Sequence, residues 1–209
     1  ISMERDGAKK RRRGRPRAFD RDEVLDAAVM VFWEKGYEGA SIDNLTEAMG
    51  IQRPSLYATF GSKRDLFVEA IDRYAATHGR GSFDPLRNDP DTKSAVAAFF
   101  DTNIRRATER GKPRGCLIAC VATETAETDV TLRQTLFGMY SRADASIAER
   151  FRANQEEGSF PAEHDPDALA RMVHSVIHSI RVRARAGATR KELTAIADDF
   201  MTVLFPASN

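Results

Sequence analysis

Cysteine is scarce in this sequence, which contains only Cys116 and Cys120 among its 209 residues. Two thiols four residues apart do not make the framework of several disulfides on which small secreted domains depend, so a reducing, cytoplasmic location is expected. Long apolar runs are missing too: no stretch approaches the roughly 18 residues that a membrane-spanning helix needs, and no secretory leader pattern is recognisable. We therefore expect no membrane partner.

Signatures of catalysis are missing as well. The sequence contains no nucleophile–base motif, no Gly-rich phosphate loop and no triad of metal-ligating residues. His174 and His178 have a spacing that can ligate a metal on a helix, but no carboxylate pattern accompanies them, so roles at an interface or in a pocket are favoured. We predict a protein that is not an enzyme and needs neither cofactor nor metal; an all-α enzyme using Cys116 or these histidines is the weakest alternative.

Net charge is low, +1 overall, but it is unevenly distributed. Residues 1–17 carry eight basic and two acidic side chains, a net charge of +6, whereas residues 18–80 have a net charge of −4. The basic, aperiodic start predicts that residues 1–18 form a disordered arm that binds phosphate. Its Gly-Arg-Pro core resembles an AT-hook, in which Arg15 and Arg17 would enter a narrow A·T-rich minor groove; a solvated tail that touches phosphates without order is the alternative.

Helix signals cover nearly all of the remaining sequence. Three favourable N-caps precede apolar residues at helical spacing: Asp20, Ser41 and Ser62. Gly36 is expected to end the first helix in a left-handed conformation, and Gly50 to break the second. A third short helix is predicted over Arg53–Phe60, with Pro54 in its first turn, where the missing amide hydrogen costs nothing.

Residues 41–60 have the spacing of a helix-turn-helix, with the tight turn at Gly50-Ile51. In this unit the second helix enters the major groove with its N-terminus first. Arg53 at that end can make a bidentate contact with O6 and N7 of guanine. Helix N-termini favour phosphate. The candidate DNA-contacting residues of this domain are Ser41, Gln52, Arg53, Pro54, Ser55, Tyr57, Thr59 and Lys63.

The residues in and around this unit match a known family in type and spacing. The matching segments are Gly36-Tyr37-Glu38-Gly39-Ala40-Ser41-Ile42, Leu45-Thr46-Glu47-Ala48-Met49-Gly50-Ile51, Ser55-Leu56-Tyr57, and Phe60-Gly61-Ser62-Lys63 with Leu66. On these residues, the segment from Phe19 to about His78 resembles the DNA-binding domain of the TetR family of bacterial transcriptional regulators. The resemblance implies that Ser41, Tyr57 and Lys63 contact phosphates, and that the residues from Gln52 to Ser55 reach base edges and flanking backbone.

The sequence departs from that family at three of these positions. Many members carry His at the position of Ala58 and Tyr or His at that of Thr59, so we expect those contacts to be weakened here, with the basic arm as a candidate replacement. Pro54 stands where Gly is frequent, which alters how closely the helix approaches the groove. The resemblance implies a repressor at the bacterial nucleoid, released from a palindromic double-stranded DNA operator by a small-molecule inducer.

Residues 79–91 are rich in Gly, Pro and Asp, which predicts a loop between a DNA-binding domain, residues 19–80, and a second domain, residues 81–209. Apolar periodicity predicts five more helices, at about Thr92–Glu109, Gly115–Thr125, Val130–Asn154, Pro166–Ala186 and Lys191–Leu204. No convincing strand appears. With a fourth helix that begins at Ser62, the prediction is an all-α protein of about nine helices.

The resemblance implies that the second domain forms a homodimer and binds the inducer. Two apolar stripes are candidates for a two-fold four-helix bundle, although packing within one subunit is the alternative: Val173, Val176, Ile177, Ile180, Ile196, Phe200 and Val203. The candidate pocket residues, for each of which plain core packing is the alternative, are Phe99, Phe100, Asn103, Cys116, Phe137, Tyr140 and His174.

Cys116 supports a different hypothesis. It follows Arg114 and opens a predicted helix, and both a cationic neighbour and a helix N-terminus lower the pKa of a thiol. The protein would then be a repressor that senses oxidants or electrophiles; a small buried apolar side chain is the alternative reading of Cys116. An architectural DNA-binding protein led by the basic arm is a further alternative.

Overall fold

Ten α-helices and one π-helical turn build the part of the chain that the computed structural model describes, residues 19–206. Within that range there is no β-strand, and the all-α prediction is confirmed. The first four helices are α1 Arg21–Gly39, α2 Ile42–Met49, α3 Arg53–Phe60 and α4 Lys63–Ala76. The others are α5 Asp84–Asn88, α6 Thr92–Ala107, the π-helical turn Ile118–Ala122 that leads into α7 Thr123–Thr125, α8 Val130–Glu156, α9 Pro166–Arg185 and α10 Arg190–Leu204.

The predicted caps of the first helices are confirmed. The Asp20 carboxylate accepts hydrogen bonds from two amides of the first turn of α1, and Ser41 and Ser62 form reciprocal capping boxes at the starts of α2 and α4. Gly36 is left-handed as expected, with φ of 76°, but α1 resumes beyond it and ends only at Gly39. Gly36 therefore kinks the helix rather than ending it.

Two predictions for the chain beyond α4 are wrong in part. The expected loop over residues 79–91 contains α5, which has Pro85 in its first turn and the buried Leu86 as its anchor. The α-helix expected over residues 115–125 starts later, and most of it is the π-helical turn Ile118–Ala122, followed by the short α7. Gly115 explains part of the difference, because its φ of 83° is left-handed and cannot belong to a right-handed helix.

Two apolar clusters form the interior. One joins α1–α4 to residues 116–136, so that Leu117 and Leu132 pack in the same cluster as Phe32 and Phe67. The other joins α5, α6 and the α8–α10 bundle. The DNA-binding helices are therefore packed directly on the segment that leads into α8. None of the helices between residues 19 and 206 combines the length and apolarity that crossing a membrane requires.

Candidate nucleic-acid interface and ligand cavity

The geometry of the helix-turn-helix follows from a few local interactions. Gly50 ends α2 in the left-handed conformation, with φ of 64°, and the amide of Ile51 then donates to the carbonyl of Thr46 at 3.1 Å. Leu45 and Leu56 are completely buried beneath α2 and α3. This packing leaves the N-terminal end of α3 on the surface, where a DNA-reading helix must present it.

Arg53 is exposed at that end and is bonded to a carboxylate of α2. Its Nε and Nη2 both donate to Oδ1 of Asp43, at 2.9 and 2.5 Å. Both side chains remain largely exposed, 60% for Arg53 and 71% for Asp43. The hydrogen bonds that Arg53 donates to Asp43 raise the pKa of Arg53, so the guanidinium stays charged while one of its edges is held by α2. Local spacing does not indicate this pairing, because the two residues are ten positions apart.

The other predicted DNA contacts surround the same end of the domain. Gln52 and Pro54 are exposed beside Arg53, and Ser55 and Thr59 are half-buried on α3. Tyr57 is 48% exposed. Two more residues stand at helix starts: Ser41 is exposed before α2, and Lys63 begins α4 with its Nζ 4.5 Å from the centroid of the Tyr37 ring. Arg15 and Arg17 of the basic arm lie outside the described residues.

Two sets of contacts connect these DNA-binding helices to the rest of the chain. Arg64, next to Lys63, donates from Nε and Nη2 to the two oxygens of Asp129, at 2.5 and 2.9 Å. Asp129 also caps α8, and its pKa is lowered to about 2, chiefly by the hydrogen bond from Arg64. At the other end, Arg185 of α9 donates to the carbonyls of Trp33 and Glu34 in α1. The positions of α1 and α4 are therefore tied to α8 and α9.

A cavity of about 290 Å³ lies between the C-terminal end of α4 and helices α6, α8 and α9. Four of the predicted pocket residues line it: Asn103, Cys116, Tyr140 and His174. Three others do not. Phe99 and Phe100 are buried in the core, against Phe83 and Phe200, because they occupy the inner face of α6. Phe137 is 73% exposed on the outer face of α8.

A second, more open cleft of about 1220 Å³ shares Tyr74, His78 and Arg106 with the cavity. The rest of its wall mixes charged side chains such as Asp84, Arg105 and Glu109 with apolar ones such as Trp33 and Pro85. The smaller cavity encloses a ligand better, because buried pockets with few convergent polar groups are the usual small-molecule sites.

Burial governs the titration of the polar groups around the cavity. It lowers the pKa of His174, and the hydrogen bond between Nδ1 of His174 and Asp144, at 2.5 Å, only partly offsets this effect. Burial also lowers the pKa of the neighbouring His178 to about 4. Both imidazoles are therefore neutral near pH 7. The hydroxyl of Tyr140 is buried and, among residues 19–206, meets no hydrogen-bond partner.

The surroundings of Cys116 differ from those expected. Its side chain lines the cavity but is only 5% exposed. The guanidinium of Arg114 donates to the carbonyls of Ala184 and Ala188 at the end of α9, so its hydrogen bonds are directed away from the thiol. Burial raises the pKa of Cys120, the other thiol.

The predicted interface residues divide into two groups. Val173, Ile177 and Ile180 are completely buried within one protomer and cannot reach a partner, because they face α6, α8 and α10. Val176, Ile196 and Phe200 are half-buried, and Val203 is 76% exposed. The outward half of the α9 stripe also includes Met172, which is 49% exposed.

Across residues 19–206, no group of three or more His, Cys, Asp and Glu side chains is arranged to hold a metal ion. His174 is instead bonded to Asp144, and the His178 ring stacks edge-on against Tyr140, with ring centroids 4.9 Å apart.

Comparison with known proteins identifies the family. The model of bacterial regulatory proteins of the tetR family matches residues 24–70, and that of the tetracyclin repressor-like C-terminal domain matches residues 93–200. The chain belongs to the TetR family. It is 32% identical to the HTH-type transcriptional repressor ComR of Escherichia coli K12, over 90% of each chain, and 27% identical to the repressor BdcR of the same strain, over 88% of each chain.

A solved structure is also similar along its whole length. A cysteine mutant of the TetR family transcriptional regulator CifR, complexed with a 26-bp double-strand operator DNA, is 38% identical to this chain. The match has a TM-score of 0.82 and covers 92% of this chain and all of the other.

The cavity of this TetR-family chain contains residues that sequence reasoning missed. Arg181 is the most informative of them, and it lines the cavity together with Tyr74 of α4 and His78, which follows that helix. A signal for Arg181 was present, since it follows His174 and His178 by seven and three residues and so lies on the same face of α9. The periodicity of apolar residues does not register such a polar face.

Proposed function

We propose that this protein is a sequence-specific DNA-binding repressor of transcription that acts as a homodimer on a palindromic operator. The observation that carries the proposal is the exposed N-terminal end of α3 in a helix-turn-helix, with Gln52, Arg53 and Pro54 at the surface. The operator complex of the CifR mutant supports it, as do the names of the repressors ComR and BdcR. Such a regulator would work in the bacterial cytoplasm, at the nucleoid.

Contacts with DNA phosphates would come from residues around the N-terminal end of α3. In this proposal Ser41, Tyr57, Thr59 and Lys63 touch the DNA backbone, while Arg53 reads a guanine and Ser55 supports it. Because residues 18–80 have a net charge of −4, the domain by itself attracts DNA weakly. The basic arm, with Arg15 and Arg17, would supply the missing attraction.

The dimer would form through the outward faces of α9 and α10. Met172, Val176, Phe200 and Val203 present apolar surface there, and a shallow groove between the two helices is lined by Met172, Val176 and Phe200. A two-fold axis at this face would place two copies of α3 on successive half-sites of a palindrome.

An inducer in the cavity would act through α4. Tyr74 and His78, at the C-terminal end of α4, line the cavity, whereas Lys63 and Arg64 are at the N-terminal end of the same helix. A ligand that displaced the C-terminal end of α4 would move the N-terminal end with it. This movement would change the distance between the two copies of α3 in the dimer. Residues 19–80 would thus bind DNA, and the remainder would bind ligand and partner.

The cavity also supports a second candidate function, regulation by oxidants or electrophiles through Cys116. Cys116 borders the cavity, so a small reagent that enters could reach the thiol. Peroxide or a quinone should then release DNA from the unaltered protein and from Cys120→Ser, but not from Cys116→Ser. Equal release from both variants would remove this candidate.

Selection of bound sequences from a random DNA pool by the full chain tests the main proposal. We expect enrichment of one palindromic sequence, with one dimer bound per site in sedimentation or mass measurements. A pool that remains random after repeated selection would contradict sequence-specific binding. Enrichment of A·T-rich DNA without a palindrome would instead support the architectural alternative led by the basic arm.

A further inference from the structure

The lining of the 290 Å³ cavity has charge of one sign only. Arg106, Arg142 and Arg181 contribute to it, and no aspartate or glutamate does. The nearest carboxylate identified by a contact is Asp144, which is bonded to His174 and is not itself part of the wall. A cavity of this kind favours an anion over a neutral or cationic guest.

Arg181 is half-buried in this wall, whereas Arg142 is exposed. Nη2 of Arg181 donates to Oδ1 of Asn103 at 2.6 Å, and the amide nitrogen of Asn103 is in turn fixed by the carbonyl of Phe99 at 2.9 Å. Among residues 19–206, no carboxylate lies within 4 Å of its guanidinium. Arg106, by contrast, is engaged by the carbonyls of His78 and Arg80. Burying a guanidinium that is bonded only to a neutral amide costs free energy unless an anion also binds it.

The buried hydroxyl of Tyr140 provides a second donor for such an anion. Within the described chain it has no hydrogen-bond partner, and Tyr140 lines the same cavity as Arg181. An unsatisfied buried hydroxyl costs free energy that a ligand oxygen would recover. Arginine and a hydroxyl are together the usual donors to a carboxylate.

Gly115 allows the wall around Arg181 to close. An added Cβ at Gly115 would lie 2.8 Å from the carbonyl oxygen of Arg181, closer than real Cβ atoms come. Only glycine lets this backbone approach α9, and the approach brings Cys116 and Ile118 into the wall opposite α8.

The apolar part of the wall includes Phe83, Ile118, Met139 and Ala143. A volume of about 290 Å³ equals roughly ten water molecules at about 30 Å³ each. A ligand of about ten non-hydrogen atoms would therefore fill it. We propose that the inducer site binds a small organic monocarboxylate, whose carboxylate is held by Arg181 and Tyr140 and whose hydrocarbon part lies against these apolar residues. This inference rests on the proposed function.

The test compares acids with their neutral amides on the full chain. Benzoate and benzamide, and hexanoate and hexanamide, are matched in size but differ in charge. Trp33, the single tryptophan, reports on the cavity, because its ring centroid is 5.0 Å from Tyr74 and 5.4 Å from His78. Tryptophan fluorescence, with calorimetry on the same samples, should show at least one acid binding more than tenfold tighter than its amide.

Variants separate the role of Arg181 from a general effect of charge. Arg181→Met should abolish the preference for acid over amide, Arg181→Lys should keep part of it, and Tyr140→Phe should weaken acid binding about tenfold. Arg110→Met is the matched control, since Arg110 is exposed and outside the cavity wall, and should retain the preference. If Arg181→Met fails to fold, Arg181→Lys and the comparison of acids with amides on the unaltered protein still show whether Arg181 holds the carboxylate.

The inference is overturned if each amide binds as tightly as its acid, if neither acid binds, or if Arg181→Met retains the preference. Operator selection by the unliganded protein tests the proposed function separately. A protein that binds its operator without preferring acids would refute only the ligand class. A protein that prefers acids but enriches no DNA would refute the repressor and leave the anion site standing.

Discussion

Replacing Asp43 by alanine would release the guanidinium of Arg53, whereas replacing Arg53 would remove it. The two changes separate two roles of the pair. The ion pair is largely exposed on both sides, 60% and 71%, and exposed pairs alter an equilibrium by no more than about fivefold. A bidentate arginine–guanine contact changes discrimination between bases by about 5- to 150-fold. The contact with DNA should therefore outweigh the contact with Asp43.

We accordingly expect Asp43→Ala to change the affinity for the selected operator by less than about fivefold. Arg53→Ala should lower the ratio of operator to scrambled-DNA affinity by about 5- to 150-fold. Fluorescence anisotropy at one fixed salt concentration measures both. Glu47→Ala is the matched control, because Glu47 is an exposed acid of α2 and its loss changes the net charge equally.

Two outcomes would refute this reasoning. If Arg53→Ala keeps the full preference for the operator, Arg53 does not read a base. If Asp43→Ala lowers the preference as much as Arg53→Ala does, the pair acts as one unit and the carboxylate orients the guanidinium. A change equal to that of Glu47→Ala would assign the effect of Asp43 to net charge alone.

Three further predictions concern the stability and assembly of the protein. Burial lowers the pKa of His178 from 6.5 to about 4. Between these pH values His178 binds a proton in the unfolded chain but not in the folded one. The free energy of unfolding should therefore decrease as the pH falls from about 6.5 to 4. His178→Gln should reduce this loss by up to about 3 kcal/mol in denaturant unfolding. Asp129→Asn keeps a capping side chain but removes the ion pair with Arg64, and should speed hydrogen exchange at the start of α4. Val203→Asp should convert the dimer to monomer in sedimentation velocity and weaken operator binding.

Each of these changes has a matched control. His164→Gln alters an exposed histidine and should leave the pH dependence intact. Asp165→Asn makes the same change at the N-cap of α9, where Oδ2 of Asp165 is 3.9 Å from Nη2 of Arg171. This variant should not affect hydrogen exchange in α4. Val130→Asp introduces the same charge at another exposed valine and should remain dimeric. Equal effects of a variant and its control would contradict the corresponding prediction.

The interior shows why some of these sites escaped sequence analysis. Apolar periodicity marks Phe99, Phe100 and Phe137 alike, yet the first two are core and the third is exposed. Periodicity shows that a residue lies on an apolar face, but not whether that face meets a helix, a cavity or a partner. The same limit applies to Val173 and Val203, of which only the second is open to another subunit.

Local chemistry alone determined the helix-turn-helix and its caps. Ser41, Gly50 and Ser62 act on groups within about four residues along the chain, so their effects are legible in the sequence. The pairing of Arg53 with Asp43 and that of Arg181 with Asn103 span 10 and 78 residues. Only tertiary packing decided those contacts, because it alone sets which distant donors share a buried space and which of them are left for a ligand.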